Sequence, residues 1–161
     1  MRRRLVVLSA VAVAALAAIA ALAQLPGDDV RAESLTFLGR PVTGEQIALG
    51  RDLYAQNCAS CHGANLEGQP DWKRRLENGR MPAPPHDESG HTWHHSDQDL
   101  FAITRLGVGG VIAGYESDMP AFGDILSDEE IAAVLAFIKS TWSERQRGSQ
   151  AQVTSNDAGG S

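Results

Sequence analysis

The stretch Cys58-Ala59-Ser60-Cys61-His62 decides how this chain folds, and it contains both cysteines of the sequence. Two thiols placed three positions apart on a helical turn can each add to one of the two vinyl groups of a haem. The imidazole that follows the second thiol is then carried under the iron, where it becomes the proximal ligand. The pattern C-x-x-C-H therefore predicts a covalent haem attachment site.

Three other uses of the two cysteines fit the sequence less well. A disulfide across so short a loop would stabilise the fold weakly, because it removes little chain entropy. A thioredoxin-like redox pair is expected beside a β-α-β pattern, which the sequence does not show. A zinc site takes about four ligands, and the chain has no second pair of cysteines.

The composition and charge limit the classes of function. The 161 residues are 43% hydrophobic but only 6% aromatic, so we expect one domain with a thin core, to which a buried porphyrin would add apolar mass. The formal net charge is -6, and it becomes -9 when the three positive charges of Arg2, Arg3 and Arg4 are set aside. An acidic globule argues against nucleic-acid binding and is compatible with docking to a basic patch on a redox partner.

An apolar run from Leu5 to Ala23 follows these arginines, with Ser9 as its only polar member. Positive residues before such a run are typical of an export signal or an N-terminal membrane anchor. The run is long enough to span a bilayer, but nine of its residues are alanine, and Ala21-Leu22-Ala23 suits cleavage before Gln24. Residues 1–23 are predicted to be a signal peptide or a membrane anchor. Both place the folded domain in the periplasm or on the periplasmic side of the cytoplasmic membrane.

The rest of the chain divides into a linker, a domain and a tail. Residues 24–43 have little periodicity and are predicted to be a linker, and residues 44–142 form the predicted domain. Helices are predicted to begin after Thr43, Ser96 and Ser127, the last two with capping-box patterns. The glycine-rich stretch from Val108 to Gly114 is predicted to be a loop, and no strand pattern is convincing. Residues 143–161 are rich in Gly, Ser, Gln and Asn and are predicted to be a disordered tail.

The sixth ligand of the iron decides what a haem protein does. Met1 is the initiator, which leaves Met81 and Met119 as candidate thioether ligands. We favour Met119, because its loop lies between two predicted helices and far enough along the chain to cross the other face of the haem. A thioether ligand raises the reduction potential and closes the iron to small molecules, which favours electron transfer. The alternative role of Met119 is to fill a gap in the core.

The region from about Gly44 to Trp142 resembles a class I mono-haem cytochrome c of the bacterial periplasmic kind. The resemblance implies an all-α fold, with three to five short helices and long loops wrapped around one covalently bound haem c. The matching pieces are Gly50, Tyr54, Cys58-x-x-Cys61-His62-Gly63, Asn65-Leu66-x-Gly68, Pro84, Pro85, Asp118-Met119-Pro120-Ala121-Phe122 and Leu126-Ser127-Asp128-Glu129-Glu130-Ile131.

The same resemblance implies roles for individual residues. Gly50 and Tyr54 are expected to cross Val134 and Phe137 of the last helix, where glycine lets the two helices approach closely. One of the two prolines in the Pro84-Pro85 pair is expected to turn its carbonyl towards Nδ1 of the proximal histidine. This hydrogen bond would orient the imidazole ring.

The loop from His86 to His95 departs from the family pattern, because it holds four of the five histidines. It is interpreted as a solvated loop with Trp93 near the haem edge, as a copper or zinc site, or as a contact with a haem propionate. Replacement of Met119 by one of these histidines is a further alternative. The candidate ligands of the copper or zinc site are His91, His94, His95, Asp87 and Asp97.

The leading functional hypothesis is a one-electron carrier, or an electron-transfer subunit of a larger oxidoreductase, and not an enzyme. Its cofactor-binding residues are Cys58, Cys61, His62 and Met119, of which His62 and Met119 ligate the iron. Its partners are other redox proteins, and a retained N-terminal segment would tether it to the membrane. The alternatives are a sensor or catalytic haem with an open coordination site, and copper handling through the histidine-rich loop.

Overall fold

The computed structural model describes residues 35–159. The predicted signal peptide or anchor, residues 1–23, and most of the predicted linker, residues 24–43, lie outside the described residues. Between residues 35 and 159, none of the helices has the length and apolar character needed to cross a bilayer.

Six α-helices, one short 3₁₀ helix and a small hairpin make up the described part of the chain. The all-α fold with long loops is therefore confirmed. Two of the helices form where a loop and a disordered tail were predicted, which takes the number above the expected three to five. In chain order the elements are β1 (Thr36–Phe37), β2 (Arg40–Pro41), α1 (Gly44–Asn57), α2 (Ala59–His62), the 3₁₀ helix (Thr92–His94), α3 (Asp97–Leu106), α4 (Val108–Val111), α5 (Asp128–Ser140) and α6 (Glu144–Gly159).

The hairpin lies within the predicted linker, so that prediction was wrong from residue 35 onward, where Phe37 and Val42 are buried in the core. Two residues per strand are too few to give an alternating pattern in the sequence. β1 and β2 pair antiparallel, with Thr36 opposite Pro41 and Phe37 opposite Arg40. The turn between them is Leu38-Gly39, and both residues have positive φ, 49° and 73°. Positive φ at both central residues is typical of the tight turns that close two-residue hairpins.

Side-chain caps fix the starts of the three longer helices α1, α3 and α5, as the sequence predicts. Thr43 caps α1 and forms a capping box with Gln46, and Ser127 forms the equivalent box with Glu130 at the start of α5. Ser96 caps α3 by accepting a hydrogen bond from the backbone N–H of the third residue of the helix. Each cap satisfies backbone donors that would otherwise lack a partner.

Helices α1 and α5 cross at Gly50. A Cβ atom built on Gly50 would lie 2.0 Å from the backbone oxygen of Ala133 and 3.0 Å from Cβ of Phe137, so only glycine allows this approach. One turn later, the ring of Tyr54 packs on Phe137 with 5.6 Å between the ring centroids. The expected crossing of Gly50 and Tyr54 with Phe137 is confirmed, and Val134 is buried in the same core.

Replacing Gly50 with alanine should lower the stability of the protein. The new methyl group must push α1 away from a backbone atom of α5, and overpacking of this kind typically costs about 1–3 kcal/mol. Thermal unfolding followed by circular dichroism measures the effect. The matched control is Gly44→Ala in the first turn of the same helix, where a Cβ meets nothing within 4 Å. Equal melting temperatures for the two variants would contradict the close crossing.

Helix α6 replaces the disordered tail that was predicted for residues 143–161. Gln150 is fully buried, and its Nε2 donates to Oδ1 of Asp97 at 2.7 Å. The backbone N–H of Asp97 donates to Oγ1 of Thr154 at 3.1 Å, and Oγ of Ser96 donates to Asp157 at 2.8 Å. The prediction was wrong because polar contacts with α3 hold this helix in place, and composition does not reveal partners that lie more than fifty residues away.

Candidate functional site

The two cysteines and the adjacent histidine lie together on one turn, as the motif predicts. Cys58 ends α1, where its N–H donates to the carbonyl of Tyr54 at 2.9 Å, and it also precedes α2. The N–H groups of Cys61 and His62 both donate to the carbonyl of Cys58, at 3.1 and 2.9 Å. Both thiols are free, Cys58 half-buried and Cys61 exposed. Two thiols one turn apart, with an imidazole beside them, are the donor set that covalent haem requires.

The acidity of Cys58 argues against a redox-active pair. Burial, and after it the charge of Cys61, raises the pKa of the Cys58 thiol to about 11. Thiol–disulfide enzymes instead need a lowered pKa, because the thiolate is the attacking group. The Cys58 side chain also packs against the hydrophobic core, as an attachment point for an apolar cofactor should.

His62 is buried and already oriented for binding a metal. Its Nδ1 lies 2.8 Å from the carbonyl oxygen of Pro84. Because a carbonyl can only accept, Nδ1 carries the hydrogen and Nε2 keeps the lone pair with which imidazole binds a metal. Burial lowers the pKa of His62, and the Pro84 hydrogen bond opposes part of this effect, so the ring is neutral at neutral pH. The expected proline contact is confirmed, and Pro84 makes it.

The loop of residues 63–68, which follows the motif, packs against Pro84-Pro85. The backbone N–H of Gly68 donates to the carbonyl of His62 at 2.8 Å, and the Tyr54 hydroxyl donates to the carbonyl of Gly63 at 2.7 Å. Gly68 has a positive φ of 69°, and a Cβ at this position would lie 2.5 Å from the backbone nitrogen of Pro85. This packing brings the Pro84 carbonyl within reach of His62.

One contact of His62 was missed in the sequence, although the histidine that makes it was noted. The ring of His86 stacks on the ring of His62, with 4.1 Å between the centroids and 21° between the planes. The sequence feature that could have predicted this contact is the position of His86 immediately after Pro84-Pro85, because one of these prolines was expected to contact the proximal histidine. The sequence grouped His86 with the three other histidines of its loop, and this hid its separate role.

The rest of the histidine-rich loop does not form the copper or zinc site proposed as an alternative. No group of three or more histidine, cysteine or acidic side chains suited to a metal ion occurs within residues 35–159. Two of these histidines pack on indoles instead: His91 stacks on Trp72 at 5.3 Å, and His94 lies 3.8 Å from Trp93 between ring centroids. His95 lies next to His91, with 5.5 Å between the ring centroids and 57° between the planes.

Trp93 carries a buried donor that has no partner among the described residues, its indole Nε1. Buried polar groups are nearly always hydrogen-bonded in native proteins, so such an atom calls for an acceptor. A haem carries two propionate carboxylates, and these are suitable acceptors for an indole N–H. The chemistry of Trp93 therefore fits the group that the cysteine motif implies.

Met119 lies on a separate loop from the cysteine turn. Its side chain is half-buried and packs against the hydrophobic core. Two backbone hydrogen bonds hold the loop to the end of α3. The N–H of Phe122 donates to the carbonyl of Thr104 at 3.1 Å, and the N–H of Gly123 donates to the carbonyl of Arg105 at 2.9 Å. On its other side, Arg80 forms an ion pair with Asp118, the residue before Met119.

Several large apolar side chains are exposed in the segments that precede the Met119 loop. Contact with an apolar porphyrin would remove side chains of this kind from water, which is favourable. Gly107, which joins α3 to α4, comes so close to the Met119 loop that a Cβ there would lie 3.3 Å from the Met119 carbonyl oxygen. The exposed residues are Leu76, Leu106, Val111 and Ile112.

Comparison with known proteins gives a family match over most of the described chain. A family model described as Cytochrome c matches residues 47–142. Among curated relatives, the CcoP subunit of a Cbb3-type cytochrome c oxidase from Rhodobacter capsulatus is 28% identical over 114 residues, which cover 70% of this chain and 35% of that protein. The gluconate 2-dehydrogenase cytochrome c subunit of Pantoea cypripedii is 25% identical over 120 residues, which cover 71% of this chain and 24% of that protein.

A third relative also matches the chain over only part of its own length. The FixP subunit of a Cbb3-type cytochrome c oxidase from Sinorhizobium medicae is 25% identical over 96 residues, which cover 58% of this chain and 29% of that protein. The chain therefore spans only about a quarter to a third of the length of these relatives. No solved structure matches the chain significantly.

Proposed function

We propose that this chain, which belongs to the cytochrome c family, transfers electrons through covalently bound haem c, and that Cys58, Cys61, His62 and Met119 hold this haem. The observation that carries the proposal is the turn of two free thiols beside a buried, neutral imidazole. The imidazole has its Nδ1 hydrogen already bonded to Pro84, which leaves Nε2 for the iron. A redox enzyme thiol or a zinc ligand set would have needed a different arrangement.

Each of these residues has a separate role. Bound haem supplies an iron that alternates between the ferric and ferrous states. Cys58 and Cys61 attach the porphyrin, so the cofactor is kept in both states. His62 would bind the iron through Nε2, and the thioether of Met119 would supply a second ligand, which would favour the ferrous state and keep small molecules off the iron. The indole N–H of Trp93 would donate to a haem carboxylate, which would satisfy its buried Nε1.

We further propose where the protein acts and with what. The domain lies on the periplasmic side of the cytoplasmic membrane, either anchored by residues 1–23 or released by cleavage after Ala23. Residues 24–34 connect this segment to the domain, which begins with the buried Leu35 at the start of the hairpin and continues to the end of α6. Two of the relatives are named as subunits of an oxidase and of a dehydrogenase. By analogy, the chain exchanges electrons with other redox proteins, as a free carrier or as part of a larger complex.

Ligation by Met119 gives a clear spectroscopic expectation. The ferric wild-type protein should show the weak far-red band that arises from sulfur-to-iron charge transfer, and Met119→Ala should abolish it completely. The control is Met81→Ala, which removes the other half-buried methionine and should leave the band unchanged. Both measurements are made on purified holoprotein at neutral pH.

The same variants distinguish an electron carrier from a haem with an open site. We expect reduced wild-type protein to bind carbon monoxide poorly, because Met119 occupies the sixth position, and reduced Met119→Ala to bind it readily. A wild-type protein that lacks the far-red band and binds carbon monoxide readily would overturn the proposed ligation. It would favour the sensor or catalytic haem instead.

A further inference from the structure

The sequence leaves the histidine-rich loop without a function, and the structure connects one of its residues to the candidate iron ligand. We propose that His86 is a positioning residue that fixes the orientation of the His62 imidazole by stacking on its face. This inference rests on the proposed ligation of iron by His62. In addition to that ligation, a second histidine and the threonine that holds it fix the plane of the ligand ring.

One hydrogen bond does not fix the orientation of an imidazole ring. The bond from Nδ1 of His62 to the Pro84 carbonyl holds one edge of the imidazole. The ring can still turn about the line that joins these two atoms. A flat neighbour in contact with the face of the ring removes this freedom. His86 is that neighbour, with its plane 21° from the plane of His62 and the centroids 4.1 Å apart.

His86 is itself held at several points. Its backbone N–H donates to the carbonyl of Leu66 at 2.8 Å, and its own carbonyl accepts from Nε1 of Trp142 at 2.9 Å. Trp142 is almost completely buried, at 1% exposure, so this second bond ties the loop to the core. Hydrogen bonds therefore fix both the N–H and the carbonyl group of His86.

The ring of His86 is also held in place, by Thr92. The buried hydroxyl of Thr92 donates to the Pro85 carbonyl at 3.3 Å, so its oxygen accepts from Nδ1 of His86 at 2.8 Å. This bond fixes the rotation of the His86 ring and also its tautomer.

The histidine-rich loop therefore supports the candidate ligand through a chain of contacts. Its 3₁₀ helix carries Thr92, Thr92 holds His86, and His86 holds His62. Precise orientation of a ligand depends on such supporting contacts as much as on the ligand itself. An aliphatic side chain in place of His86 would fill the volume but would not define a plane. A phenyl ring would restore the plane without the Nδ1 hydrogen bond.

The experiment uses proton NMR of the ferric holoprotein, because the hyperfine shifts of the haem methyl groups depend on the orientation of the axial imidazole plane. We expect His86→Leu and Thr92→Val to change the spacing or order of these shifts. His86→Phe keeps a flat ring but loses the bond to Thr92, so it should change the shifts less than His86→Leu does. The control is His91→Leu in the same loop, whose ring stacks on Trp72 instead. It should leave the shifts unchanged.

Thermal unfolding of each variant shows that it is folded. The inference is overturned if folded His86→Leu or folded Thr92→Val keeps the wild-type shifts. It is also overturned if His86→Phe changes the shifts as much as His86→Leu does. If His86→Leu does not fold, Thr92→Val decides the question alone. Wild-type protein without hyperfine-shifted resonances of a ligated histidine would instead overturn the proposed function. The two failures are therefore distinguishable.

Discussion

Replacement of both cysteines, Cys58→Ala together with Cys61→Ala, should produce a protein with no covalently attached haem. The chain has only these two thiols, so no other residue can form the thioether bonds. The measurement is the haem signal that stays with the polypeptide on a denaturing gel, and the expected loss is complete. A single replacement leaves one thiol and should reduce the attached haem without abolishing it.

The matched control for the cysteine variants is Ser60→Ala. Ser60 lies between the two cysteines on the same exposed turn, and its hydroxyl makes only a long contact of 3.9 Å with the sulfur of Cys61. This variant should retain covalent haem in full. Haem that remains attached to the double cysteine variant after denaturation would mean that the motif is not the attachment site.

Asp97→Ala should destabilise the folded protein far more than the loss of an exposed ion pair does. Asp97 and Lys139 form a buried ion pair with 2.9 Å between Oδ1 and Nζ, and both side chains are at most 7% exposed. The carboxylate also accepts from the Leu38 N–H and from Gln150, so it joins the hairpin, α5 and α6 to α3. Removing one partner of a buried pair leaves an uncompensated charge and costs about 3–5 kcal/mol.

Chemical denaturation of the holoprotein measures this loss, and the chain supplies a matched control. Asp128 pairs with Arg105 at 2.8 Å, but both side chains are largely exposed. Asp128→Ala should therefore cost at most about 1 kcal/mol. A double variant, Asp97→Ala with Lys139→Met, should recover part of the lost stability because it no longer buries a lone charge. Equal losses for Asp97→Ala and Asp128→Ala would contradict this account of the ion pair.

The features predicted correctly from sequence are those that short stretches determine. The turn from Cys58 to His62 forms as expected, because a helical turn is set by hydrogen bonds between residues three and four positions apart. The caps at Thr43 and Ser127 are similarly local, since each side chain bonds a backbone group three residues away. A contact of Pro84 or Pro85 with the proximal histidine was also anticipated, but through the resemblance to a family and not through any local pattern.

The features that sequence did not reveal depend on residues far apart in the chain. Helix α6 has little apolar character, and its contacts with Asp97 join residues more than fifty positions apart. The four histidines of one loop are chemically alike in the sequence, yet only His86 stacks on His62. Neither propensity nor spacing distinguishes such residues, because the distinction comes from where the folded chain places them.

The most direct test of the account is the intact mass of the exported full-length protein after denaturation and treatment with a thiol-alkylating reagent. We predict the mass of the chain plus one haem, with no alkyl group added, because both Cys58 and Cys61 carry thioether bonds. The same mass reports whether residues 1–23 are retained. A folded protein that has the bare mass of the chain plus two alkyl groups would contradict the central claim.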